Sequence, residues 1–248
     1  MHYQLNEHFW SIQGEGEHAG RTAVFLRLQG CPVGCEWCDS KLTWYAGGER
    51  VQIEDFPTIV RQYPESEFVV ITGGEPLLYD LDALFVVLRA HFPSRALHLE
   101  TSGALPYKGV ERPDWTTLSP KYTVDFRVAR NVLEAATELK YVVDEHFSPE
   151  VVERHLEDLA ALRPAGAKPP VRLMPEGCPP RRAMVERTLA ILWEHPQWRF
   201  GPRLQYDYST IADQEGLNNK RVTAEYARAL AREHRIVAAR WRFAQARE

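Results

Sequence analysis

The chain has 248 residues, 44% hydrophobic and 26% charged, the proportions of an ordinary soluble protein with one α/β domain or at most two small ones. Its net charge of −4 argues against nucleic acid as a partner, because nucleic acid selects a strongly basic face. No apolar run approaches the roughly 20 residues that cross a bilayer, and Met1 to Glu7 lack the basic and apolar regions of a signal peptide, so a cytoplasmic protein with no membrane partner is expected.

Thr22 to Leu28 reads as a buried strand closed by Gly30, and a loop carrying Cys31, Cys35 and Cys38 follows it. Ile53 to Tyr63 has helical spacing, with Pro57 marking a boundary or a start inside it. Phe68 to Ile71 is a second apolar strand, ended by Gly73 and Gly74, and Leu81 to His91 is an amphipathic helix. Leu97 to Leu99 and Trp115 to Leu118 are further strands, closed by Thr101-Ser102-Gly103 and by Ser119-Pro120. Leu139 to Val143 precedes a helix from Pro149 to Leu162, and Val171 to Leu173 precedes a helix from Arg181 to Glu194. Strands alternating with helices imply a parallel sheet whose polar groups gather at the strands' C-terminal ends. The cysteine loop and the polar turns all fall at such ends, which argues for one site.

The last stretch carries a helix from Thr223 to His234 and the apolar-basic Trp241-Arg242-Phe243. The arginines between Arg228 and Arg247 are interrupted by acidic residues and read as a solvated surface or a dimer contact. There is no internal repeat.

Three of the four cysteines fall between positions 31 and 38, which in a reducing compartment points to metal or redox chemistry. Cys178, between Gly177 and Pro179, reads as an incidental loop thiol. The spacing lets one short loop wrap a compact inorganic core, with Pro32 and Gly34 supplying the turns. Thiolates suit zinc or iron–sulfur clusters. Structural zinc wants four ligands, and the loop offers three, with no histidine between residues 19 and 90. A four-iron cluster on three thiolates keeps one iron open to a ligand.

The glycines of Thr72-Gly73-Gly74-Glu75-Pro76 let backbone approach a ligand closely, and Glu75 can accept from an ammonium group. Ser119 and Lys121 offer hydrogen-bond donors. Arg27 interrupts an apolar strand and needs an anionic partner, either a bound carboxylate or a structural carboxylate such as Glu15 or Glu17.

The Cys-x3-Cys-x2-Cys loop after a first strand resembles the signature of radical S-adenosylmethionine enzymes. Ser11-Ile12-Gln13-Gly14-Glu15-Gly16, Arg27, Trp37-Cys38-Asp39, Ile71 to Pro76, Glu100 to Gly103 and Ser119-Pro120-Lys121 narrow the resemblance to the 7-carboxy-7-deazaguanine synthase family. It runs from Asn6 to Lys121 and fades beyond Lys140.

The resemblance implies an α/β fold: a single-domain partial, open β/α barrel of roughly six mostly parallel strands. Residues 1–210 would form the core, and 211–248 a helical extension packed on it. It implies a 4Fe-4S cluster on Cys31, Cys35 and Cys38, and Mg²⁺ at Ser40, where relatives carry threonine. S-adenosylmethionine would be held by Trp37, Cys38, Asp39, Gly74, Glu75, Ser102, Ser119, Pro120 and Lys121. The substrate would be 6-carboxy-5,6,7,8-tetrahydropterin, held by Ile12, Gln13, Gly14, Glu15, Arg27 and Thr72. Hydrogen abstraction, ring contraction and loss of ammonia would then give 7-carboxy-7-deazaguanine, a queuosine precursor. An external electron donor such as flavodoxin or ferredoxin and a homodimer are implied as well.

The chain departs from the family at Met174-Pro175-Glu176, where relatives carry glutamine before the proline, and after Trp198-Arg199-Phe200. Two competing readings share the cysteines. One is a glycyl-radical activase, which would not need Arg27 or Gln13-Gly14-Glu15; the other is a non-enzymatic zinc-binding module.

Overall fold

The computed structural model describes residues 1–177 and 181–204. Cys178 and the C-terminal extension, where a helix from Thr223 to His234 is expected, lie outside the described residues.

The elements in chain order are β1 (His2–Ile12), β2 (Thr22–Leu28), β3 (Glu49–Gln52), α1 (Phe56–Arg61), β4 (Phe68–Gly73) and α2 (Asp82–His91). They continue with β5 (Ala96–Thr101), β6 (Trp115–Leu118), α3 (Arg130–Ala135), β7 (Glu138–Val143), α4 (Pro149–Leu162), β8 (Val171–Pro175), α5 (Arg182–Glu194) and β9 (Arg199–Phe200). One sheet holds all the strands, in the order β3-β1-β2-β4-β5-β6-β7-β8-β9. From β2 to β9 every pairing is parallel, while β1 runs antiparallel to both β2 and β3. The sheet is open, with β3 and β9 at its edges.

The six expected strands correspond to β2, β4, β5, β6, β7 and β8, and the described sheet has nine. The count of six is corrected for a physical reason. Polar residues break the apolar pattern of His2 to Ile12, and Glu49–Gln52 is a short charged edge strand. Strands at an edge bury only part of their surface and carry little apolar signature. Pro57 sits in the first turn of α1, where its missing N–H leaves no hydrogen bond unmade. A short 3-10 turn, Ile53–Asp55, leads into that helix.

Helices cover one face of the sheet. Val24, Leu26 and Leu28 of β2 join Val69, Ile71, Leu97, Leu99, Leu139, Tyr141 and Leu173 in the main core. Phe85 and Leu88 of α2, Val132 of α3 and Val152 and Leu159 of α4 pack against them. Each such buried side chain contributes about 1.5–3 kcal/mol. This single hydrophobic layer fixes the sheet and leaves its opposite face for other work.

Candidate functional site

Side chains alternate between the two faces of a strand, so the residues between the core positions point to the uncovered, inner face. At one end of that face lies a small apolar group, Phe25, Phe68 and Val70 with Phe9 beside it. Beyond it the inner positions are polar: Arg27 on β2, Thr72 on β4, His98 and Glu100 on β5, Thr117 on β6, Glu138 and Lys140 on β7, and Arg172 on β8. Register brings them together, with Arg27 opposite Thr72 and Lys140 opposite Arg172.

The segment from Gln13 to Arg21, between β1 and β2, bonds to this polar face. Gln13 is buried, donates its Nε2 to Glu100 Oε1 at 3.0 Å and accepts the Glu15 amide at 3.2 Å. Thr72 Oγ1 donates to the other oxygen of Glu100 at 3.1 Å. Lys140 Nζ lies 2.8 Å from Glu15 and 3.8 Å from Glu100, with 7% of its side chain exposed. Burial alone would lower the Lys140 pKa, but the two carboxylates reverse this and hold it above its usual value. Burial likewise works against ionised Glu100, and the Lys140 charge holds its carboxyl below the usual range. Glu17 bonds Arg172 at 2.6 Å and Arg199 at 3.0 Å. Gly16 has φ +76°, and a Cβ there would stand 2.7 Å from a Glu138 carboxylate oxygen, so the last glycine of the Gln-Gly-Glu-Gly block is sterically required.

Among the expected substrate residues, Gln13, Glu15 and Thr72 thus converge on Glu100 and Lys140. Ile12 ends β1, opposite Thr22, and the Gly14 carbonyl accepts the Leu204 amide at 2.9 Å. Arg27 pairs with Glu7, its Nε 2.8 Å from Glu7 Oε1. This corrects the expected structural partners, because Glu15 and Glu17 are engaged with Lys140 and Arg172 instead. Glu100 and Lys140 were not among the expected site residues. Their sequence signal was a charged residue at alternate positions of otherwise apolar strands.

The cysteine loop leaves β2 through Gly30, at φ +96°, and turns again at Gly34, at φ +67°. The buried side chain of Gln29 anchors it by donating to the Leu42 and Tyr45 carbonyls at 2.9 and 2.7 Å. Backbone N–H groups of Val33 and Gly34 point at the Cys31 sulfur, the Ser40 amide lies 3.4 Å from Cys38 Sγ, and Thr123 Oγ1 lies 3.9 Å from Cys35 Sγ. Burial pushes the Cys31 and Cys38 thiols up to about 12. A bound cation would reverse that preference, since metal coordination deprotonates a thiol outright. Soft sulfur donors ringed by N–H groups fit an iron–sulfur cluster, whose sulfurs accept such bonds. Among the described residues no three His, Cys, Asp or Glu side chains converge on one ion. A cubane takes one thiolate per iron and does not ask for such convergence.

The Gly-Gly-Glu-Pro turn packs directly on this loop. The amides of Gly74 and Glu75 donate to the carbonyls of Leu28 and Gly30 at 3.1 and 2.8 Å. A Cβ on Gly74 would overlap the Gly30 carbonyl and stand 2.9 Å from Cys31 Cβ. Glu75, expected as an ammonium acceptor, is engaged inside the fold. Its carboxylate is 1% exposed and accepts from the Leu77 amide at 3.0 Å, Thr101 Oγ1 at 2.6 Å, the Ser102 amide at 2.9 Å and Ser102 Oγ. Those four donors fill the roughly four lone-pair sites of a carboxylate. Ser102, expected to touch the cofactor, donates its hydroxyl proton to Glu75.

Ser119 Oγ accepts from Lys121 Nζ, which lies 5.4 Å from the centre of the Trp37 ring. Burial lowers the Lys121 pKa, and the nearby Cys35 opposes that shift. Trp37 Nε1 donates to Asp144 Oδ2 at 3.0 Å, tying the cysteine loop to the end of β7. Ser40 Oγ donates to Asp39 Oδ1 at 3.0 Å, so a hydroxyl and a carboxylate stand together beside the loop. A cavity of about 310 Å³ opens beside Trp37, lined also by Tyr122, Asp144, His146 and Glu176, with Tyr122 and His146 stacked at 4.3 Å. Of the residues expected to hold S-adenosylmethionine, Trp37 alone lines it.

Residues 12–105 match a family described as 4Fe-4S single cluster domain. A 7-carboxy-7-deazaguanine synthase from Synechocystis sp. is 38% identical over 202 residues, covering 79% of this chain and 88% of the relative. Its counterpart from Escherichia coli K12 is 34% identical over 186 residues, covering 66% and 82%. The crystal structure of QueE from Escherichia coli superposes with a TM-score of 0.65 at 30% identity, over 81% of this chain and 93% of that one.

Proposed function

The chain belongs to the 7-carboxy-7-deazaguanine synthase family, and on that premise we propose that its inner face converts 6-carboxy-5,6,7,8-tetrahydropterin to 7-carboxy-7-deazaguanine with loss of ammonia. One observation carries the reading. Arg27, Thr72, Glu100 and Lys140 form a continuous polar track across the face that helices leave uncovered, at the strand ends beside the three cysteines. A polar face of fixed charges suits a small carboxylated heterocycle better than a protein loop, which separates this reading from a glycyl-radical activase.

Cys31, Cys35 and Cys38 would hold a four-iron cluster, which would supply the electron for reductive cleavage of S-adenosylmethionine and hence the radical chemistry at the substrate carbon bearing the carboxylate. Three thiolates would leave one iron open to a ligand from the cofactor. Gly74, with no Cβ, lets that ligand approach the turn. Trp37, Cys38 and Asp39 flank it from the cluster loop, and Ser119, Pro120 and Lys121 from the end of β6. Glu75 and Ser102 act from behind by bracing the two loops.

On the inner face Arg27 receives the substrate carboxylate, whose two oxygens match a guanidinium fork. Gln13, Glu15, Thr72 and Glu100 offer acceptors and donors to the pterin edge, with Ile12 and Gly14 providing backbone. Lys140 holds the Glu100 carboxyl below its usual range, so Glu100 stays an acceptor, and the same ammonium group bonds Glu15 at 2.8 Å. Mg²⁺ binds at Ser40, where the hydroxyl and the Asp39 carboxylate are hard oxygen donors. An external donor such as flavodoxin or ferredoxin delivers the electron, and the working unit is a cytoplasmic homodimer. Among the described residues no helix is long and apolar enough to cross a membrane.

The test is anaerobic incubation of reconstituted protein with reductant, S-adenosylmethionine and carboxytetrahydropterin. Mass spectrometry should find the deazaguanine acid with matching ammonia release. Cleavage of S-adenosylmethionine with no such product would overturn the substrate assignment.

A further inference from the structure

Arg27 is held along one edge only. Its Nε donates to Glu7 Oε1 at 2.8 Å, its guanidinium carbon lies 5.6 Å from the ring centre of Phe9, and its side chain is 18% exposed. Among the described residues no hydrogen bond or ion pair engages its Nη1 or Nη2.

Glu7 reaches this place because β1 changes register. Tyr3 and Leu5 point into the helix-covered core, and strict alternation would send Glu7 and Phe9 the same way. Between Leu5, paired with Leu28, and Glu7, paired with Arg27, the ladder shifts and Asn6 becomes an extra residue. A one-residue insertion moves every later side chain to the other face. Phe9 accordingly stacks on Phe25 of the inner face at 4.9 Å, and Glu7 stands opposite Arg27. The extra residue is itself pinned, since Asn6 Nδ2 donates to Gln29 Oε1 at 2.7 Å, the side chain that anchors the cysteine loop. A bulge that re-aims a carboxylate onto a single arginine beside a site is a specific device.

We propose that Glu7 is a positioning residue. By taking Nε of Arg27 it fixes the guanidinium plane, so that the terminal Nη1–Nη2 edge is presented to the substrate carboxylate. The inference rests on the assignment of Arg27 to that carboxylate.

Two variants of nearly equal shape separate the acceptor from the bulk. Glu7→Gln keeps an oxygen for Nε–H, and Glu7→Met does not. With the reconstituted holoenzyme, Glu7→Gln should keep KM for 6-carboxytetrahydropterin within about threefold of the parent. Glu7→Met should raise it about tenfold with kcat within about twofold, the scale of one lost hydrogen bond to a charged group. The inhibition constant of a tetrahydropterin lacking the carboxylate should stay unchanged in both. An unchanged KM in Glu7→Met, an equal rise in both variants, or a parallel loss of the uncarboxylated inhibitor would each overturn the positioning role. Arg27→Ala runs alongside. If it still distinguishes carboxylated from uncarboxylated pterin as well as the parent does, the assignment of Arg27 fails, whatever the Glu7 variants do.

Discussion

Gly74 and Gly30 meet backbone to backbone: the amide next to Gly74 donates to the Gly30 carbonyl at 2.8 Å, and a Cβ on Gly74 would overlap that same oxygen. The turn after β4 and the loop after β2 therefore behave as one rigid piece. Gly74→Ala would force them apart at Cys31. We expect iron content and cluster absorbance after anaerobic reconstitution to fall several-fold, with the cluster-free fold retained. Parent-like iron uptake would show that the loops can separate without consequence.

Glu75 braces that piece through Leu77, Thr101 and Ser102. Glu75→Gln replaces one accepting oxygen with a donor that faces donors. Leaving a buried charged hydrogen-bond network incomplete costs about 1.5–3 kcal/mol. Urea unfolding of the cluster-free protein should read that loss, and equal midpoints would remove the bracing role.

Among the described residues Lys140 is the one cation bonded to Glu15 that also lies within 4 Å of Glu100, at 2.8 and 3.8 Å. Lys140→Met would take the ammonium group from Glu100 and from Glu15, which keeps Arg203 at 3.6 Å. Because both carboxylates are only partly buried, the loss should fall below the about 3–5 kcal/mol of a fully buried broken pair. The double variant Lys140→Met with Glu100→Gln should recover part of that. If the double variant is no more stable than the single one, the two residues are not coupled.

His98 is held neutral by burial, its pKa brought down to about 3 from 6.5. The unfolded chain takes up this proton first as pH falls, so stability drops through the window from about 6.5 down to about 3. One such group contributes a slope of about 1.4 kcal/mol per pH unit. His98→Gln should flatten the slope between pH 6.5 and 5, as read by thermal unfolding at closely spaced pH values. Parallel curves for parent and variant would mean that His98 is protonated in the fold.

Much of the architecture is written locally. Apolar runs closed by glycine or polar turns marked β2, β4, β5, β6, β7 and β8, because each strand sends apolar side chains into the helix-covered core, and β2 and β4 add a second apolar group on the inner face. The helices Pro149–Leu162 and Arg182–Glu194 followed from 3.6-residue periodicity, and the cysteine spacing named the cluster chemistry. What the chain could not announce depends on partners far away in sequence. The edge strands β1 and β3 owe their form to pairing rather than to pattern. The bulge at Asn6, which turns Glu7 toward Arg27, appears only once β1 lies against β2. Glu75 became a brace because Thr101 and Ser102 fold onto it from β5, and Glu100 and Lys140 became a site because register set them under Gln13 and Glu15. Residue type and period fix what a segment prefers to be. Which polar groups meet, and which are already satisfied, is decided only when the sheet brings distant strands within hydrogen-bond reach.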